Sequence, residues 1–268
     1  MIPKISIENL KLSKIICGTN QFVGITHRAN PIDMLIHLRK FKDPKTVVKF
    51  MLHLFQEHGV NCTISSPREK IFKAIKIVEE ETGEKYHWIC TPSERKTVKN
   101  LEPDILKQID WCAEKEVSVC MPHRSYTDNA INKKTLTIGG KNSGFAPYSE
   151  ISAYIRDKGM IPGLSCHYIE VLKAVEKNNY DAPFVVQPLN KKGFQSNTKP
   201  ELLIEAIQNT KVHIINIKPM AAGRIKPREG LEFCLNNIKE NDFLAVGCGK
   251  NFEDCVEDGQ ILENYFKS

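Results

Sequence analysis

Most of the chemistry this sequence offers sits where short apolar runs end. His123 closes the run Val117-Ser-Val-Cys-Met-Pro122, Ser165-Cys166-His167 closes another, and Lys218 closes a third. An imidazole titrates near neutral pH, so His123 is expected to be the central polar group, polarising a carbonyl or moving a proton. The competing reading gives His123 a structural hydrogen bond to the backbone. His167 divides the same way, with a cap on the following helix as its structural role. A zinc ion held by His123, His167 and Cys90, with Cys62 as a substitute, is the metal alternative, because thiolates and imidazoles suit Zn²⁺.

Two segments carry the ingredients of a phosphate site. In Lys218-Pro-Met-Ala-Ala-Gly-Arg-Ile225, small residues and Gly223 let the backbone approach a ligand closely. Val246-Gly-Cys-Gly-Lys-Asn251 sets glycines and Lys250 before an acidic amphipathic helix, whose first N–H groups and dipole favour an anion. Ordinary turns, with Lys250 solvated, are the alternative. No Asp or Glu closes any of the apolar runs. That excludes the carboxylate pair of glycosidases, a carboxylate-built Mg²⁺ site and a complete Ser-His-Asp triad.

These positions must be held by regular elements, and eight strand patterns recur along the chain. They are Lys14 to Gly18, Asn61 to Ser65, His87 to Thr91, Val117 to Pro122, Met160 to Ser165, Phe184 to Pro188, Val212 to Lys218 and Phe243 to Gly247. Each is followed by apolar residues at helical spacing, such as Val47, Val48, Met51, Leu54 and Phe55 after the first. Strict strand–helix alternation predicts a closed (β/α)₈ barrel over residues 1–268 as one domain, with an open doubly wound sheet as runner-up. Lys4 to Leu12, turning at Glu8-Asn9, reads as a hairpin closing the bottom of the barrel. Arg124 to Tyr148, rich in Asn, Lys, Gly and Ser, reads as an irregular loop over the mouth, either a lid or a solvated insertion.

The 268 residues are 41% hydrophobic and 26% charged, which excludes collagen-like, disordered and low-complexity classes. No apolar stretch reaches membrane-helix length, and the N-terminal residues alternate without a signal-peptide core, so a cytoplasmic protein is expected. Nine scattered cysteines without a CxxC pair point to reduced thiols. The net charge of +6 is spread along the chain, favouring small anionic molecules over nucleic acid. The expected partner is a small-molecule substrate.

With its motifs in view, the sequence resembles the aldo/keto reductase superfamily over nearly its whole length. Ile5 to Asn20 resembles that family's hairpin and first strand, His58-Gly-Val-Asn61 its entry to the second, and His123 the histidine closing its fourth. Gly163-Leu-Ser-Cys-His167, Val186-Gln-Pro-Leu-Asn190, Lys218-Pro-Met-Ala-Ala-Gly223 and Val246-Gly247 with Glu257-Asp258 resemble strands five to eight and the last helix. The resemblance implies NADP(H) at the barrel mouth, its carboxamide on Ser165 and Gln187. Its phosphates would lie against Lys218, Pro219, Ala222, Gly223, Arg224, Gly247, Gly249, Lys250 and Asn251. Where the family has Asp, Tyr and Lys, this chain has Ile64, the shortened Ser65-Ser-Pro-Arg-Glu69 and Pro92; Cys166 replaces an Asn. His123 and Lys218 remain as proton donors, with Tyr126 as a substitute phenol. The expected function is an NAD(P)H-binding oxidoreductase with a non-standard site. The alternatives are a non-redox barrel lyase or hydrolase using His123 with thiols or zinc, and a silent nucleotide-binding or structural barrel.

Overall fold

The computed structural model describes residues 1–25, 31–93, 105–140, 143–249 and 251–267. Strands β1 (Lys4–Ile7) and β2 (Leu10–Ser13) form an antiparallel hairpin turned by Glu8, whose φ of 51° is left-handed. Then come β3 (Ile15–Gly18), α1 (Pro31–Lys40), α2 (Pro44–His58), β4 (Cys62–Ser65), α3 (Glu69–Thr82) and β5 (His87–Cys90). They are followed by α4 (Ile105–Glu114), β6 (Val119–Cys120), α5 (Arg124–Ala130), β7 (Ile131–Asn132), β8 (Thr137–Ile138) and α6 (Tyr148–Asp157). The chain finishes with β9 (Ile161–Ser165), α7 (Ile169–Asn178), β10 (Phe184–Pro188), α8 (Pro200–Asn209), β11 (His213–Ile217), α9 (Pro227–Asn237), β12 (Phe243–Gly247) and α10 (Phe252–Lys267).

Eight strands, β3 to β6 and β9 to β12, close into a parallel barrel. Closure is made by β12 on β3, where Val246 pairs with Cys17 and Gly247 with Gly18. The expected (β/α)₈ architecture is therefore present, and the open sheet is not. Parallel strands are covered on both faces, which is why they read as near-continuous apolar runs. One set of side chains, including Ile16, Ile89, Val119, Met121, Phe184, Val186, Ile215 and Phe243, packs with Ile5, Ile7 and Leu12 of the hairpin and fills the barrel. The alternate set, including Cys17, Trp88, Cys90, Cys120, Leu164, Val185 and Val246, packs against the helices. Inside, Gly163 must lack a side chain, because a Cβ there would stand 2.6 Å from the Phe184 carbonyl oxygen. The hairpin joins the barrel interior as expected.

Two expectations need correction. The stretch after the fourth barrel strand is not irregular: it folds into α5 and the β7–β8 hairpin before α6 begins at Tyr148. Local polar contacts make this possible, since Asn132 Oδ1 accepts from the Lys134 and Thr135 N–H groups at 3.0 and 3.1 Å. Tyr126 does not reach the mouth as a substitute phenol, because it is fully buried and donates to the Ala146 carbonyl at 2.8 Å. All nine cysteines are buried, unpaired thiols. Among the described residues no helix is long and apolar enough to cross a membrane.

Candidate functional site

Active sites of this fold lie at the C-terminal ends of the strands. Three residues that meet there come from different parts of the chain. Lys218 follows β11, His167 follows β9, and Asp128 lies on α5, after β6. Lys218 Nζ stands 3.1 Å from His167 Nε2, and His167 Nδ1 stands 3.6 Å from Asp128 Oδ2. Asp128 also accepts from the His167 backbone N–H at 2.9 Å, so one carboxylate holds the backbone and lies beside the ring. Arg124, one helical turn before Asp128, approaches that carboxylate at 3.8 Å.

The electrostatics follow from the burial. Lys218 has its pKa lowered from 10.5 to about 7, first by loss of solvent, then by the charge of Arg124, with Asp128 opposing. Burial also pushes the Asp128 carboxyl above its usual value, against the His167 N–H and the charges of Arg124 and Lys218. At 3.1 Å, one nitrogen of the Lys218–His167 pair donates and the other accepts. An amine poised near neutrality beside an imidazole can take a proton, give one, or attack an electrophile. The backbone here is held in a costly conformation: Lys218, Ala221 and Ala222 have φ of 64°, 48° and 58°. Left-handed non-glycine residues cost of order 1–3 kcal/mol each and cluster where a site must be pre-set.

His123 stands at the N-terminus of α5, the helix that carries Asp128. Its Nδ1 accepts from the Ser125 N–H at 3.2 Å and contacts Ser125 Oγ at 3.0 Å, which makes it the N-cap of α5. The zinc triple does not assemble. Cys90 packs on the outer face of the barrel, and no group of three or more His, Cys, Asp or Glu among the described residues is placed to hold a metal ion. Asp128 is not among the strand-end residues that the sequence singles out, because it lies on a short helix inside a polar stretch that reads as loop. The readable signal was Arg124 and Asp128 at helical spacing directly after His123.

The residues expected to hold a dinucleotide fall into three settings. Ser165 ends β9 at the mouth, whereas Gln187 is fully buried and donates to Cys166 Sγ at 3.0 Å and the Tyr168 carbonyl at 3.1 Å. The Gln187 Oε1 atom is buried without a hydrogen-bond partner. After Lys218 and Pro219, the N–H groups of Gly223, Arg224 and Ile225 converge on the Met220 carbonyl at 2.9, 3.0 and 3.2 Å. Arg224 lies 4.5 Å over the Phe194 ring and donates to the Ala221 carbonyl at 3.0 Å. After β12, the Asn251 N–H donates to Asp254 Oδ2 at 3.0 Å, placing a carboxylate at the α10 N-terminus where a phosphate was expected. Gly247 and Gly249 lead into this turn, and Gly249 has no room for a Cβ, which would meet Asp254 Cβ at 2.2 Å. Lys250 lies outside the described residues.

No protein-family model matches the chain, and no curated protein matches it in sequence. Solved structures do match in shape. A Pseudomonas aeruginosa protein provisionally described as an aldo-keto reductase superposes with a TM-score of 0.65 at 15% identity, covering 96% of this chain and 92% of its own. A glycerol dehydrogenase from Gluconobacter oxydans gives 0.50 at 14%, covering 84% and 65%. A type I 3-dehydroquinate dehydratase from Clostridium difficile gives 0.51 at 11%, covering 100% and 99%. These neighbours span oxidoreductase and dehydratase chemistries on one barrel, and at such identities they establish the (β/α)₈ fold alone.

Proposed function

We propose that this chain is a barrel enzyme acting on a small carbonyl compound at its C-terminal mouth. Lys218 meets the carbonyl, and His167, held by Asp128, relays the proton. The observation that carries this reading is the Lys218 Nζ to His167 Nε2 approach of 3.1 Å, in a setting that brings the amine to a pKa of about 7. A general acid–base works best when its pKa lies near the operating pH, and such a group contributes about 10²- to 10⁴-fold. His123 then serves the site by capping the helix that delivers Asp128.

Within this reading a non-redox reaction, of lyase or hydrolase type, fits the described residues better than reduction. A dinucleotide's phosphates would meet the Asp254 carboxylate at the α10 N-terminus and a loop whose N–H groups are already bound to Met220. Reduction by NAD(P)H is the second reading, favoured by Lys218 as a proton donor of suitable pKa. NAD(P)H would supply a hydride when bound, and Lys218 would protonate the oxygen. Fluorescence titration with NADPH, paired with a carbonyl panel assayed with and without it, tests the reading. Lys218-dependent turnover without dinucleotide supports the first form, saturable NADPH binding with turnover supports the second, and turnover unchanged in His167→Ala defeats both.

A further inference from the structure

Resting on that reading, we infer that Lys218 condenses with the carbonyl carbon of an oxo carboxylate to form an imine, and that Arg124 receives the substrate's carboxylate. The placement of the groups supports this. Arg124 opens α5 and reaches Asp128 only at 3.8 Å, with its side chain 49% exposed. The same Asp128 leads through His167 to Lys218, over steps of 3.6 and 3.1 Å, so a cation and an amine flank one proton relay. A guanidinium pairs well with carboxylates. A neutral ketone would leave that guanidinium with the Asp128 carboxylate as its counter-charge and gain nothing from it.

The amine must be unprotonated to attack. With a pKa of about 7, about half of Lys218 is free amine at neutral pH, against roughly one in a few thousand for an ordinary lysine. In the first step the Nζ lone pair forms a C–N bond as the C=O π bond opens, and the oxygen takes a proton from solvent, giving an N-protonated carbinolamine. His167 accepts the proton lost by nitrogen and returns it to the hydroxyl, which leaves as water as the C=N bond forms. The sum is amine plus carbonyl plus one proton giving protonated imine and water, with no change in oxidation state.

The test uses the full-length protein with pyruvate, the smallest 2-oxo carboxylate, and acetone as its uncharged counterpart. Each is incubated with sodium borohydride near pH 7 and the protein is mapped by peptide mass spectrometry, with saturation-transfer NMR run in parallel without the reductant. The expected result is a reduced adduct on the Lys218 peptide at least 10-fold above any other lysine and favouring pyruvate over acetone. Lys218→Met should abolish the adduct, and Arg124→Gln should remove the pyruvate preference. Lys218→Met relieves a buried charge, so it is expected to fold, and circular dichroism checks this. If pyruvate binds in a Lys218-dependent way but no Lys218 adduct forms, the imine step is overturned while the carbonyl reading stands. If Arg124→Gln leaves the preference intact, the carboxylate assignment falls. If neither probe binds nor traps, this inference is overturned, while the reading beneath it is decided separately by the carbonyl panel and His167→Ala.

Discussion

Replacing Lys218 by Met should make the protein's stability depend less on pH, and the sign is fixed by the direction of the shift. In the unfolded chain the amine titrates near 10.5, whereas in the fold it titrates near 7. Between those values the unfolded state binds more protons than the native state, so Lys218 makes stability rise with pH through that window and leaves it flat below 7. At about 1.4 kcal/mol per pKa unit, the gap corresponds to a ceiling of ~5 kcal/mol. The high effective dielectric of real protein sites reduces this to roughly 2–3 kcal/mol. Lys218→Met removes the titrating group and its 3.1 Å hydrogen bond with His167 Nε2, a loss of about 1 kcal/mol with no matching slope. Urea unfolding of both proteins from pH 6.5 to 9.5 should therefore show the variant gaining on the parent at the low end, and that gain shrinking by about 2 kcal/mol toward the high end. A difference constant within about 0.5 kcal/mol across the range would refute the claim that this amine is held near neutrality.

The remaining predictions concern the groups around it. Asp128 raises the Lys218 pKa, so Asp128→Asn should shift the pH midpoint of acetic anhydride labelling at Lys218 downward; an unchanged or upward midpoint would separate the two residues. His123→Ala removes a helix cap and should cost about 1 kcal/mol while leaving that labelling midpoint in place, whereas His167→Ala should move it. Asp258 is buried near Asp254 and Glu257 and has its pKa raised from 3.8 to about 7. The native state then holds the extra proton, so stability falls as pH rises through that window, and Asp258→Asn should stabilise by about 1–3 kcal/mol at pH 8 and by almost nothing at pH 4. Gly249→Ala places a Cβ 2.2 Å from Asp254 Cβ at a φ of 69° and should lower stability by about 2 kcal/mol or more in urea unfolding.

What the sequence determined by itself was local and repetitive. Phe184 to Pro188 and Phe243 to Gly247 are strands at the expected residues, because a strand covered on both faces must be a short apolar run. The hairpin at Glu8 and the eightfold alternation were legible for the same reason, and together they leave few topologies. The site was legible only in part. Lys218 and His167 could be placed at strand ends, but strand ends radiate around a whole barrel rim, and spacing along the chain does not say which neighbours touch. Lys218 and His167 are 51 residues apart, and Asp128 lies 39 residues before His167. Barrel closure and the packing of α5 bring them together, and burial there decides their charge. His123 shows the same limit: its place after a strand does not tell which atom its Nδ1 meets, and the turn that follows brings the Ser125 N–H to it, so the ring caps α5. An imidazole's role depends on which atoms face its two nitrogens, and only the tertiary structure sets that.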